Sequence, residues 1–129
     1  MAEISDARRF SEATLLQRAL LLIDNCFTEP DEAVSRVNVV AGLANAQDAG
    51  GRGVIGGTPL SGGSSKITAR TSLLVSEPWL LLERAGVICR DLTLEGQRGD
   101  WWVLTPTGKA IRDSSDPEGE LKLRVSSPI

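Results

Sequence analysis

Three glycines, Gly51, Gly53 and Gly56, lie in the stretch GGRGVIGG with the spacing G-x-G-x-x-G. In dinucleotide-binding domains this spacing joins a strand to a helix, whose N-terminus binds the pyrophosphate. Here the preceding residues, ANAQDAG, are typical of the end of a helix, and the following residues, GTPLSGG, cannot begin one. A P-loop is excluded as well, because no Gly-Lys-Ser/Thr follows at the required spacing. We therefore predict no nucleotide cofactor and interpret residues 50–63 as a flexible glycine-rich loop.

Other side chains that could carry out catalysis are scarce. The sequence has no histidine, the residue that most often serves as general base and zinc ligand. Cys26 and Cys89 lie far apart in the sequence and do not have the spacing of metal ligands. Their apolar neighbours predict that both are reduced thiols that serve as small core residues. The carboxylates are scattered and mostly adjoin arginines or polar helix faces. We therefore predict that the protein is not an enzyme and binds neither a metal ion nor a cofactor.

Length and composition favour a single globular domain. The 129 residues, 41% of them hydrophobic, are enough for one core. No apolar run approaches the roughly 18 residues that a membrane-spanning helix needs. The N-terminus, MAEISDARRF, is too polar for a secretion signal. These features predict a cytoplasmic protein with no membrane partner.

Helical periodicity dominates the first two thirds of the chain. Apolar residues recur at helical spacing over 10–27, and a second helix is predicted over 29–49. The residues of the second helix predicted to face the core are Val34, Val37, Ala41 and Ala44. A third helical region, 64–85, contains Pro78. Either one helix bends at Pro78, the version we favour, or a new helix starts just before the proline.

Residues 87–105 have the composition of a β-hairpin. VICRDL and WWVL supply the two strands, and EGQRGD supplies the turn between them. Trp101 and Trp102 must point to opposite faces of their strand, so one indole packs on the helices and the other is partly exposed. Thr105 and Pro106 then begin a last short helix. The chain is thus predicted to be mainly α with a small antiparallel β-hairpin, an α+β fold.

This order of helix, glycine turn, strand, polar wing, strand and helix resembles the second half of a winged-helix domain. The likeness covers about residues 77–112 and is to multiple-antibiotic-resistance-type and related bacterial winged-helix regulators. The residues that carry it are Leu82, Glu83, Arg84, Gly86 and Val87, then Leu104, Thr105, Pro106, Gly108 and Lys109. The resemblance implies a winged helix-turn-helix over residues 1–112, followed by a tail over 113–129. It also implies a dimeric transcriptional regulator that binds double-stranded DNA.

A basic region without acids leads into the presumed recognition helix. No Asp or Glu lies between Asp48 and Glu77. Basic and hydroxyl side chains of SSKITARTS, together with the wing tip, are suited to phosphate contacts. The candidate contacts are Lys66, Thr68, Arg70, Thr71, Gln97 and Arg98. The net charge of -3 and the pI of about 5.0 oppose nonspecific binding, and an ordinary solvated helix face is the alternative interpretation.

A winged helix used for protein association is the competing prediction. In residues 120–126, ELKLRVS, apolar and charged side chains alternate, which predicts a strand that pairs with the wing sheet or with a partner's edge. The residues that would contact a partner are Trp101 or Trp102 together with Leu121, Leu123 and Val125. A homodimer formed through the apolar N-terminal helices is compatible with either prediction.

Overall fold

The computed structural model describes residues 7–28, 32–48, 68–92 and 100–126. In chain order these residues form α1 (Ala7–Glu12), α2 (Leu15–Asn25), β1 (Val34–Ser35), α3 (Arg36–Asp48), α4 (Ala69–Arg84), β2 (Ile88–Arg90), β3 (Trp101–Leu104), α5 (Pro106–Asp113) and α6 (Pro117–Ser126). Helices predominate and the small sheet is antiparallel, so the predicted mainly helical α+β class is confirmed. The glycine-rich loop predicted at 50–63 lies outside the described residues.

The first predicted helix is two helices, separated by a helix cap. Thr14 accepts a hydrogen bond from the Gln17 N–H at 3.2 Å, and the Gln17 side chain accepts one from the Thr14 N–H at 3.1 Å. This reciprocal capping box begins α2 and interrupts the continuity with α1. The single helix predicted over 10–27 is therefore wrong, although its apolar side chains are buried, Leu22 and Phe27 among them.

A short strand, β1, was not predicted, and it shortens the second helix. Val34 pairs with Trp102 of β3, and α3 begins only at Arg36. A strand of two residues is too short to show alternation in a sequence. Of the four residues predicted to face the core, Ala44 is buried, whereas Val34 lies in the strand and Val37 is 53% exposed, so the predicted stripe is only partly right. The apolar residues that α3 buries are Val39, Val40, Leu43, Ala44 and Ala46.

The third predicted helical region contains a single helix, α4, and Pro78 lies inside it, as predicted. Thr68 caps its start, since its Oγ1 accepts the Thr71 N–H at 3.2 Å. Pro78 has no N–H, so it leaves the carbonyl of Leu74 without its usual helical donor. Arg18 of α2, which is buried, supplies a donor instead, with Nη1 2.9 Å from that carbonyl oxygen. This contact attaches α4 to α2 at the residue where the proline interrupts the helical ladder.

The predicted hairpin is present, and the sheet has the order β1-β3-β2. Ile88 lies opposite Leu104 in antiparallel register. Gly86 turns the chain from α4 into β2 with a φ of 76°, a conformation that favours glycine. Thr105 joins this corner to the next helix. Its hydroxyl donates to the Gly86 carbonyl at 2.5 Å, and its Oγ1 accepts the Gly108 N–H at 3.0 Å, which begins α5.

Aromatic side chains occupy the centre of the core, between the helices and the sheet. The ring centroid of Trp79 in α4 lies 5.3 Å from that of Phe27 and 6.1 Å from that of Trp102. Trp102 is therefore the indole that packs on the helices, and Trp101 on the other face is half-buried. This division confirms what the alternation of the strand predicted.

The C-terminal tail forms a helix, α6, and the strand predicted over 120–126 is wrong. Asp116 precedes the helix, and its Oδ1 accepts the Gly119 N–H at 3.1 Å. Pro117 occupies the first helical position, and both glutamates of α6 lie in its first turn, where the helix dipole favours acids. These local signals outweigh an alternation that spans only three apolar residues.

Burial of the three alternating side chains follows the helix rather than a strand. Leu121 is fully buried, whereas Leu123 is 69% and Val125 45% exposed. α6 packs against α2 and α5. The segment that follows residue 112 therefore contributes to the same core as the helices before it.

Candidate nucleic-acid interface

The first turn of α4 brings together three of the six predicted contact residues. Thr68 and Arg70 are exposed, but Thr71 is buried, with 5% exposure. The Oγ1 atoms of Thr68 and Thr71 lie 3.1 Å apart, so both hydroxyls belong to the helix cap. Thr71 thus stabilises the start of α4 instead of facing solvent, and Thr68 and Arg70 are the exposed members of the set. The other predicted contacts, Lys66, Gln97 and Arg98, lie outside the described residues.

The two halves of α4 differ in charge. Arg70 is the only ionisable residue between 68 and 76. The second half carries Glu77, Glu83 and Arg84, all on the exposed side of the helix. Along α4, the first half therefore suits a polyanion better than the second, since acids repel phosphate groups.

Two arginines that sequence analysis did not single out lie at the base of the hairpin. Arg36 Nε donates to Asp100 Oδ2 at 2.9 Å, which joins the start of α3 to the residue before β3. The Trp102 Nε1–H donates to the same carboxylate oxygen at 3.3 Å. The guanidinium carbon of Arg90 lies 5.9 Å from the centroid of the Trp102 ring, a cation–π distance.

Of these two arginines, Arg90 is the better candidate for an anion contact. The charge of Arg36 is compensated by Asp100, whereas Arg90 is exposed and held over an aromatic ring. Arg90 also lies on β2, the strand that enters the wing. Alternation along VICRDL places Arg90 on the same face as the buried Ile88, so the strand pattern gives no signal that Arg90 is exposed, and only its charge does.

The two cysteines have different environments. Cys26 is buried, and this burial raises the pKa of its thiol to about 12, so it is unreactive in the folded protein. Cys89 is exposed on β2, so the core position predicted for it is wrong. Within residues 7–28, 32–48, 68–92 and 100–126, no group of three or more Cys, Asp or Glu side chains could hold a metal ion.

No family model, curated protein or solved structure matches this chain. None of the helices in the described ranges is long and apolar enough to cross a membrane. A function for the chain has to be inferred from its own residues and their geometry.

Proposed function

We propose that this chain is a winged helix-turn-helix module that binds double-stranded DNA, as a cytoplasmic transcriptional regulator. The observation that carries the proposal is the order of the elements from α2 to β3: helix, strand, helix, helix, strand, strand. The first strand of this series closes the sheet beside the last, in the order β1-β3-β2. In a winged helix-turn-helix the same order places a recognition helix directly before a hairpin, and α4 has that position here.

The charge of α4 supports contact through its first half. A recognition helix enters the major groove with its N-terminal residues against the base edges. At the start of α4 the cap residue Thr68 and Arg70 in the first turn have exposed side chains, with no acid before Glu77. Arginine binds phosphate or guanine with paired hydrogen bonds, and threonine binds phosphate through its hydroxyl. The distribution of charge along this helix therefore counts for more than the net charge of -3.

The homodimer predicted from the N-terminal helices needs another interface. Their apolar residues, including Ala19, Leu22 and Ile23, are buried in the core of a single chain. Two residues predicted to contact a protein partner, Trp102 and Leu121, are buried there as well. A dimer on DNA remains a prediction, and the exposed residues are the ones that can supply its interface.

Fluorescence anisotropy with a labelled duplex of random sequence, measured across a salt series, tests the proposal. We expect Arg70→Ala to weaken binding and to lower the slope of log K against log salt concentration by about one unit, as for one lost phosphate contact. Lys122→Ala is the matched control, since Lys122 is an exposed cation on α6 and its removal changes the net charge equally. Equal effects of the two substitutions, or no binding at low salt, would refute the proposal and favour the protein-interaction prediction.

A further inference from the structure

A second surface of α4 forms one wall of an apolar groove. The groove has a volume of 450 Å³ and lies between the second half of α4, the start of α2 and the end of α6. Its exposed apolar side chains are Leu15, Leu80 and Val125, with exposures of 38%, 46% and 45%. Leu81 and Ala85 complete the apolar lining. These residues come from three helices, so the groove exists only in the folded chain.

The two ends of the groove carry different charge. Glu77 lines one end, and its Oε1 lies 3.8 Å from Nη2 of Arg18, which compensates its charge. Arg84 and Arg124 line the other end, two helical turns away along α4, or about 10 Å. Arg124 is held there because its Nε donates to the carbonyl of Ala85 at 3.2 Å. Neither guanidinium group has an acidic partner among the described residues, so this end has an uncompensated charge.

We propose that this groove binds an amphipathic helix of another protein, with acidic side chains at the end that meets Arg84 and Arg124. A helix docks in such a groove through apolar side chains at positions i, i+3 or i+4, and i+7, which span two turns. That span matches the distance from Glu77 to Arg84. Carboxylates at one end of the docked helix pair with the two guanidinium groups, which fixes its direction.

The other protein is distinct from a second copy of this chain. On α6, whose first turn carries two acids, Leu123 is the large apolar side chain on the face opposite Leu121. One leucine does not supply the stripe that the groove requires. α4 exposes Leu73 and Leu80 two turns apart, but Leu80 belongs to the groove wall and Arg84 lies beside Glu83 at that end of the helix, so α4 of a second copy does not supply a purely acidic end. The inference does not rest on DNA binding, because the groove uses the second half of α4 and Thr68 and Arg70 lie in the first.

Designed peptides test the groove directly. We use fluorescent helical peptides of about 14 residues, with leucines at i, i+4 and i+7 and with glutamates at one end or at the other. The matched control peptides carry lysines in place of the glutamates. We expect one glutamate peptide to bind at least tenfold more tightly than its lysine counterpart, measured by anisotropy with the full chain. Arg84→Glu should abolish this preference, because it leaves one cation, Arg124, and one carboxylate at that end, and thermal melting checks that the fold is retained.

Variants of the apolar wall complete the test. Leu80→Ser should weaken peptide binding at least tenfold, whereas Leu123→Ser, an equal change at an exposed residue outside the groove, should leave it unchanged. Thermal melting of both variants checks that the fold is retained. Equal binding of glutamate and lysine peptides, failure of every peptide to bind, or binding that is indifferent to Leu80→Ser would overturn the proposal. A concentration-dependent dimer that Leu80→Ser dissociates, seen by light scattering, would also overturn it, because the occupant would then be a second copy.

Discussion

Replacing Arg18 by methionine should destabilise the fold by about 1–2 kcal/mol, and the cause can be isolated with Pro78. Methionine keeps an unbranched apolar side chain but removes the guanidinium group, so the Leu74 carbonyl loses the 2.9 Å hydrogen bond that replaces its helical one. A part-buried acceptor left without a donor costs about 1–3 kcal/mol. The ion pair between Arg18 and Glu77 adds little to this cost, because the two charged groups are 3.8 Å apart and the Glu77 side chain is 57% exposed.

Two features of the contact between Arg18 and Leu74 place the expected loss of stability in the lower part of that range. The Nε of Arg18 is buried without a hydrogen-bond partner in the described structure, so the substitution also removes a desolvated donor. The Leu74 carbonyl lies in a partly buried position, where water can replace some of the lost bond.

A double-mutant cycle separates the loss of the hydrogen bond to the Leu74 carbonyl from every other effect of Arg18→Met. Pro78→Ala introduces an N–H four residues after Leu74, which can donate to the same carbonyl as in an uninterrupted helix. Arg18→Met should therefore cost about 1 kcal/mol less in the Pro78→Ala background than in the natural sequence. Urea denaturation followed by the fluorescence of the buried tryptophans measures all four free energies of unfolding. If Arg18→Met costs the same in both backgrounds, then Arg18 does not compensate for the proline and the reasoning is wrong.

Three further predictions concern packing and reactivity. Gly108→Ala should lower stability by about 1–3 kcal/mol in thermal or urea melts, because an added Cβ would clash with the backbone carbonyl oxygen of Val87, just before β2. Leu121→Ala should lower the free energy of unfolding by about 2–5 kcal/mol, because this side chain is fully buried. Leu123→Ala should lower it by less than about 0.5 kcal/mol, because Leu123 is 69% exposed. Similar losses of stability would mean that α6 does not pack as described. A thiol reagent at pH 8 should label Cys89 in the folded protein and Cys26 only after unfolding, as mass spectrometry would show; rapid labelling of Cys26 would contradict its burial.

The parts of the fold that could be predicted from sequence are those with strong local signals. Gly86 at the end of α4 and the Thr105–Pro106 pair after β3 mark the two ends of the hairpin segment, and the structure has its turns there. The continuous helical phase across Pro78 correctly indicated a single helix. At Thr14 two local signals compete, because the four residues TLLQ form a capping box inside an apolar repeat that continues through it.

The remaining features depend on contacts between residues far apart in the sequence. β1 is a strand only because β3 pairs with it, and two residues carry no periodicity of their own. The hydrogen bond from Arg18 to the Leu74 carbonyl joins residues that are 56 positions apart, and no sequence pattern in either helix predicts it. The groove likewise requires Leu15 and Val125 to meet α4 from opposite ends of the chain.

Both proposals assign functions to the same helix, and its sequence explains how they can coexist. The outward side of α4 changes at Glu77 from a segment with one arginine and no acid to a segment of mixed charge. Arg18 of α2 contacts α4 at this boundary, because its Nη1 donates to the Leu74 carbonyl and its Nη2 lies 3.8 Å from Glu77 Oε1. A ligand that binds either half therefore acts on a helix that is anchored to α2 between the two surfaces. Coupling between the surfaces can pass through this anchor, so Arg18→Met in combination with the DNA and peptide titrations measures how much of any coupling depends on it.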